Sequence, residues 1–124
     1  MDYPDLSALV AKWQPILRLQ DWDITAIYER HFAMDDGKQG GVKWLRRLKQ
    51  ARIRVLDPSD YGVQWQPQDV EATVVHEMLH VHFALVDDYV SLSLDLFEQS
   101  IEAISLALIR LDRQTLAPSP HPRL

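Results

Sequence analysis

The chain has 124 residues, of which 47% are hydrophobic and 25% charged, as is usual for one globular domain. Its 13 basic and 18 acidic residues give a net charge of −5, which argues against general nucleic-acid binding because phosphate contacts require a basic surface. Cysteine is absent, so disulfides and thiolate zinc sites are excluded, and any metal site must use histidine and carboxylate ligands.

The N-terminal residues contain neither a basic stretch nor an apolar one, so no signal peptide is predicted. No apolar run approaches the roughly 18 residues that cross a bilayer. We therefore expect a cytoplasmic protein without a membrane span. A single domain is predicted over residues 1–116, and the proline-rich residues 117–124 are expected to form a disordered tail.

The N-terminal segment has apolar residues at helical spacing, which predicts an amphipathic helix that covers one face of a sheet. These apolar residues are Leu6, Leu9, Val10, Trp13 and Leu17. Pro15 is expected to kink or shorten this helix. The aromatic and β-branched residues over 22–28 then predict a first strand.

Two further strands are predicted over 42–48 and 51–56, after a turn or loop over 35–41. In the last strand Ile53 and Val55 alternate with two arginines, which predicts one buried face and one solvated face.

This hairpin holds six of the 13 basic residues of the chain: Lys43, Arg46, Arg47, Lys49, Arg52 and Arg54. We interpret them as a solvated strand face whose charges discourage edge pairing. A docking surface for an acidic peptide or nucleic acid is the alternative interpretation. Trp44, in the same hairpin, is assigned to the core or to the wall of a cleft.

Two helices are predicted in the second half of the chain. The first begins near 67–69 and continues to about Val86, and the second runs from about Ser91 to Asp112. The predicted core stripe of the last helix is Leu94, Phe97, Ile101, Ile104, Leu108 and Leu111. The order helix, three strands, helix, helix indicates an α+β domain.

The first of these helices contains an H-E-x-x-H motif with His76, Glu77 and His80. Helix positions i and i+4 share a face, so both imidazoles can point at one Zn²⁺ ion. Glu77 lies one step around the helix, where its carboxylate can take a proton from a water at the metal without being a ligand. The motif therefore predicts a zinc-dependent hydrolase.

A catalytic zinc ion normally has three protein ligands, and the last helix offers Glu98 and Glu102 at i, i+4 spacing beside its apolar stripe. A metal would satisfy the Glu98 carboxylate, which would be costly to bury alone. Glu102 could accept a hydrogen bond from the outer nitrogen of a ligand histidine. Without a metal, both carboxylates would lie at the solvated edge of the helix.

His76 to His80, followed by Glu98 and Glu102 on the next helix, resembles the gluzincin group of zinc metallopeptidases. The order of elements is similar to that of small stand-alone zincin domains of bacteria and phages. The resemblance covers about 22–111, although only the two helices share the motif. It implies a zincin-like fold in which His76, His80 and Glu98 bind zinc, Glu77 is the general base and Glu102 supports a ligand histidine.

The spacing between His80 and Glu98 is slightly shorter than in larger gluzincins, so Glu102 remains an alternative ligand. Tyr61 and Tyr89 are candidates for stabilising the oxyanion by position only. The nearby His82 is expected to point to the opposite side of the helix from His80.

The leading hypothesis is a zinc metallopeptidase that acts on a peptide or protein, with a hairpin strand aligning the extended substrate. One alternative is a non-peptidase zinc hydrolase, although the chain lacks the downstream histidine of the small RNA-processing zinc proteins. A second alternative is a regulatory binding module with a structural or degenerate zinc site.

Overall fold

The computed structural model describes residues 3–34, 37–62, 66–84, 86 and 94–116. The elements in chain order are helix α1 (Leu6–Ile16), strands β1 (Asp23–Glu29), β2 (Gly40–Leu45) and β3 (Gln50–Leu56), and helices α2 (Val70–His82) and α3 (Leu94–Leu116). This order confirms the α+β class, with an N-terminal helix, a small three-stranded sheet and two later helices.

The sheet has the strand order β1-β3-β2. Strand β1 is parallel to β3, whereas β2 is antiparallel to β3 and forms the predicted hairpin with it. Strand β2 therefore lies at an edge of the sheet, and no strand in the described part of the chain pairs with its free side.

The helices cover one face of the sheet. Ile53 and Val55 of β3 are fully buried beneath them, whereas Arg52 is exposed on the opposite face, as their alternation predicted. Helix α2 contacts β2 and β3 on one side and α3 on another, and α1 contacts β1 and α2. The buried helix residues include Trp13, Val74, Val75, Met78 and Ile101. The opposite face of the sheet, called the outer face below, carries Thr25, Ile27, Gly41, Lys43, Arg52 and Arg54.

Several predicted boundaries were wrong. Strand β2 ends at Leu45 rather than at residue 48, because 46–48 forms a 3-10 turn and Lys49 has a left-handed φ of 52°. Gly40 and Gly41, predicted in a loop, begin this strand. Helix α2 ends at His82, earlier than predicted. Helix α1 ends at Ile16, directly after Pro15, as expected of a shortened helix.

The predicted core stripe of α3 was wrong at Ile104 and Leu111, whose side chains are 41% and 61% exposed. Among the α3 residues whose side chains are described, the buried positions are Ile101, Ser105 and Ile109. They recur every four residues on one face of the helix. Ser105 can occupy the centre of this face because its hydroxyl donates to the Glu102 carbonyl oxygen, which satisfies the buried polar group.

Ion pairs attach the C-terminal half of α3 to the other helices. Lys12 Nζ of α1 donates to Glu71 Oε2 at 2.8 Å and to Asp112 Oδ2 at 2.9 Å. Arg113 binds Asp69 through two hydrogen bonds of 2.9 and 3.0 Å. Asp69 and Glu71 flank the start of α2, so these contacts fix α3 relative to the helix that carries the H-E-x-x-H motif.

The predicted tail and Tyr89 lie outside the described residues. Among the residues that are described, no helix combines the length and hydropathy needed to cross a membrane.

Candidate metal centre

Helix α2 presents two histidines on one face. Its N-cap is Asp69, whose carboxylate accepts a hydrogen bond from the Ala72 backbone N–H at 3.1 Å. One helical turn separates His76 from His80, and their ring centroids are 5.2 Å apart. Both side chains are largely shielded from solvent, with 13% and 14% of their surface exposed. The helix therefore presents both imidazoles to one small volume.

Helix α3 places Glu98 between the two imidazoles. Glu98 Oε2 lies 3.0 Å from His76 Nε2, and Glu98 Oε1 lies 2.7 Å from His80 Nε2. One ligand atom from each of the three residues lies within 4.8 Å of the other two. Two histidines and a carboxylate have thus been brought together from two helices, as the motif and the downstream glutamate predicted.

This arrangement can be tested against the geometry of a tetrahedral zinc site. Metal–ligand bonds of about 2.0–2.2 Å separate neighbouring ligand atoms by about 3.3 Å. The Glu98 contacts are shorter than this, so a small rotation of its carboxylate would open the required space. The group can therefore hold a metal ion, and two imidazoles with one carboxylate leave a fourth position open to substrate. The donor set suits several divalent metals, so it does not identify the ion.

Glu102 contacts the other nitrogen of His76. Its Oε2 lies 3.0 Å from His76 Nδ1, while the Nε2 atom of the same ring faces Glu98. A carboxylate at Nδ1 favours a proton on that nitrogen and leaves the Nε2 lone pair for a metal. The contact is the one predicted for Glu102. Among the described residues the candidate metal group contains Glu98 and not Glu102.

Glu77 is buried beside these ligands, with 7% of its surface exposed. Burial raises the pKa of Glu77 to about 7; the charge of His76 opposes this shift, the Glu98 carboxylate adds to it and Lys38 opposes it. A carboxyl group with a pKa near neutrality can both accept and return a proton. This is the property required of the predicted general base.

Close contact with β2 was not foreseen for this carboxylate. A Cβ atom at Gly40 would lie 2.6 Å from Thr73 Cγ2 and 2.9 Å from Glu77 Oε2. Only glycine allows the strand to approach α2 this closely. The available signal in the sequence was the adjacent glycine pair before a β-branched residue, since glycine inside a strand often marks a close approach.

A cavity of about 800 Å³ adjoins the candidate ligands. Strand β2 forms one wall, α2 lies along another, and α3 contributes Phe97, Glu98, Glu102 and Leu106. Lys38, Lys43, Trp44 and Arg54 also line the cavity on the strand side. Trp44 therefore lies at the cleft, as one interpretation predicted, and it also packs against the hydrophobic core, as the other predicted.

Tyr61, a candidate for stabilising the oxyanion, and His82, expected to point away from His80, both lie in the described part of the chain. Tyr61 lines the cavity, but its hydroxyl donates to the Gln66 carbonyl oxygen at 2.7 Å. His82 is exposed and its Nε2 contacts the Leu17 carbonyl oxygen at the end of α1, so it faces away from the candidate ligands.

No protein family, curated protein or solved structure matches this chain. The resemblance to gluzincins therefore depends on the H-E-x-x-H motif and on Glu98 and Glu102 of the following helix. Metal identity, enzymatic activity and zincin kinship remain predictions.

Proposed function

We propose that the protein is a zinc-dependent metallopeptidase of the gluzincin type. The observation that carries this proposal is the position of the buried Glu77 carboxylate beside a His76, His80 and Glu98 group that can hold a metal ion. A structural zinc site has no need of a further buried carboxylate at its side.

Zn²⁺ held by His76 Nε2, His80 Nε2 and Glu98 would polarise a substrate carbonyl group and increase the acidity of water. Glu77 accepts the proton of the attacking water and returns it to the leaving amine. Glu102 holds the His76 ring through Nδ1, so that Nε2 stays directed at the ligand group.

A peptide is favoured as substrate because the edge of β2 that pairs with no described strand borders the cavity. Alternate residues of an edge strand direct their backbone N–H and C=O groups away from the neighbouring strand. An extended peptide can pair with these groups and pass in front of His76 and Glu77.

Hydrolysis of fluorescently labelled, unfolded casein by the zinc-loaded protein tests this function. Glu77→Gln is expected to lower the rate by about 10²–10⁴-fold, because the amide cannot accept the proton. Zinc content measured on the same samples is expected to stay unchanged, because Glu77 is not one of the ligands. Full activity in Glu77→Gln would overturn the role of this residue, and an inactive zinc-loaded wild type would overturn the proposed activity.

A metal-binding interaction module is the second candidate function. One observation favours this alternative. Tyr61 is the candidate for stabilising an oxyanion that lies among the described residues, and its hydroxyl group donates to the Gln66 carbonyl oxygen instead. Stoichiometric zinc without hydrolysis of casein or peptides would support this alternative.

A further inference from the structure

Substrate selection can be inferred from the charges that surround the cavity. The carboxylates of Asp69, Glu77, Glu98 and Glu102 lie on its helical side. Lys43 and Arg54 lie on the side formed by the sheet. The overall charge of the chain is −5, so a positive strand edge is a local feature of this surface. Ligand groups that reach the sheet side therefore meet cations.

The outer face of β2 presents Gly41 and then Lys43, two residues apart. Arg54 of β3 pairs with Gly41, and a Cβ atom at Gly41 would lie 3.2 Å from Arg54 Nη2. The missing side chain at Gly41 thus lets the Arg54 guanidinium extend over β2 towards its free edge. Two cations consequently border this edge at neighbouring outer positions.

Both cations have donors to spare. Arg54 Nη1 donates to the Ala33 carbonyl oxygen at 3.2 Å, and the buried Arg54 Nε has no hydrogen-bond partner among the residues that the structure describes. Within the described ranges, neither Lys43 nor Arg54 forms an ion pair with a carboxylate. A guanidinium without a carboxylate partner can form charge-assisted hydrogen bonds with an incoming carboxylate.

A peptide added to β2 would point alternate side chains to opposite faces of the extended sheet. One set would face α2 and the candidate metal ligands. The other set would lie on the outer face beside Gly41 and Lys43, within reach of Arg54. Side chains in this second set lie two residues apart in the peptide, which matches the spacing of the two cations.

We propose that this cleft selects peptides that carry carboxylate side chains, Asp or Glu, at alternate positions, which are read by Arg54 and Lys43. The inference rests on the proposed peptidase function, of which it specifies the substrate class. Arg54 acts through direct hydrogen bonds to the substrate, and Lys43 adds a second positive charge.

Three short peptides test the inference: alternating Thr-Glu, alternating Thr-Gln, and a peptide with the composition of the first but with its glutamates in adjacent pairs. β-Branched threonine favours the extended form. Binding is measured by fluorescence anisotropy on the zinc-loaded Glu77→Gln protein, and cleavage by mass spectrometry on the zinc-loaded wild type. We expect the alternating Thr-Glu peptide to bind about 10-fold tighter than the other two, with a preference that weakens at high salt.

Substitutions of Arg54 and Lys43 then test whether these residues cause the preference for the alternating Thr-Glu peptide. Arg54→Gln and Lys43→Gln are each expected to reduce it to about threefold or less. Arg52→Gln is the matched control, because Arg52 lies on the outer face of the same strand as Arg54 but does not line the cavity. It is expected to retain the preference.

Four outcomes separate this inference from the proposed function. Equal binding of all three peptides, or a preference that survives in both Arg54→Gln and Lys43→Gln, overturns the inference even if cleavage occurs. Selective binding without cleavage of any peptide supports acidic selection and overturns the peptidase. Absence of both binding and cleavage overturns both. Cleavage that follows the binding preference supports both.

Discussion

Glu77 and Gly40 are in closer contact than any side chain at residue 40 would permit, because a Cβ atom there would lie 2.9 Å from Glu77 Oε2. This relationship fixes the distance between the edge strand and the helix that carries the predicted general base. In the proposed peptidase, a peptide paired with β2 would therefore lie at a fixed distance from the Glu77 carboxylate. The same contact buries Glu77, and burial is the largest cause of its raised pKa.

Gly40→Ala is expected to destabilise the protein by about 1–3 kcal/mol, because its methyl group would press on Thr73 as well as on Glu77. Any hydrolytic activity should fall with it, since β2 must move away from α2. Urea unfolding and casein hydrolysis measure the two effects. Gly41→Ala is the matched control: its methyl group meets the flexible end of Arg54, so a change below about 1 kcal/mol is expected. Equal effects of the two substitutions would contradict the steric argument.

Substitutions of the two glutamates of α3 should affect zinc binding differently. Glu98→Ala is expected to remove stoichiometric zinc, because it deletes the one carboxylate in the candidate ligand group. Glu102→Gln is expected to retain zinc with an affinity about 10–100-fold lower, because it weakens the hold on His76 Nδ1. Atomic absorption and competition with a chelator measure both, with the exposed Gln99→Ala as control. A wild type that cannot be loaded with zinc would show that the cluster is an ordinary set of histidine–carboxylate pairs.

Glu71, which forms an ion pair at the start of α2, also accepts a hydrogen bond from a buried indole. Trp13 is 1% exposed, and its Nε1 donates to Glu71 Oε2 at 2.8 Å. Glu71→Ala is expected to cost about 1–3 kcal/mol of unfolding free energy, because it leaves this buried donor without an acceptor. Glu71→Gln keeps an acceptor oxygen and should cost less. Urea unfolding at neutral pH distinguishes the two, and an equal loss would assign the effect to the charge rather than to the indole bond.

Acid should weaken the contact between Asp60 and the segment that follows β1. Two hydrogen bonds from the Arg30 guanidinium, with the His31 backbone N–H, hold the pKa of Asp60 well below its usual value. The unfolded chain binds a proton at Asp60 more readily than the folded chain does. The stabilisation by ionised Asp60 is therefore complete above the unfolded pKa of about 4, and it declines as the pH falls towards the folded pKa. The stability difference between wild type and Asp60→Asn should therefore be largest near neutrality and shrink below about pH 4.

Urea unfolding from pH 7 to pH 2.5 measures this difference. Arg30→Gln removes the largest cause of the shift and should give a similar dependence on pH. A difference from wild type that stays constant across this range would mean that Asp60 titrates alike in the folded and unfolded chains.

Periodicity and spacing predicted much of the fold, because they report local geometry. The alternation around Ile53 and Val55 indicated the buried face of β3, and the i, i+4 spacing placed His76 and His80 on one face of α2. The pairing of β1 with β3 depends instead on contacts distant in the sequence, so no local pattern encodes it. The predicted stripe of α3 was wrong for a different reason. Hydrophobicity favoured Ile104 over Ser105, whereas a hydrogen bond to the preceding turn allows the serine to be buried.

The candidate site was predictable where chemistry restricts the choice of residue. Imidazole and carboxylate side chains at helical spacing pointed to His76, His80 and Glu98 before their distances were known. Gly40 and Arg54 were not foreseen as part of the cleft. Their importance comes from where β2 lies against α2 and β3, which is a property of tertiary packing.

Helix α3 is attached at its two ends by different kinds of bond. Near its C-terminus, Asp112 and Arg113 form ion pairs that need no ligand. Nearer its N-terminus, Glu98 meets the two histidines of α2, where a divalent ion would replace a contact between side chains with coordinate bonds across two helices. The ion would thereby act as a cross-link whose strength follows the supply of metal. Depletion of metal would loosen the first turns of α3 while its last turns stay docked, so one helix would couple metal availability to the width of the cleft.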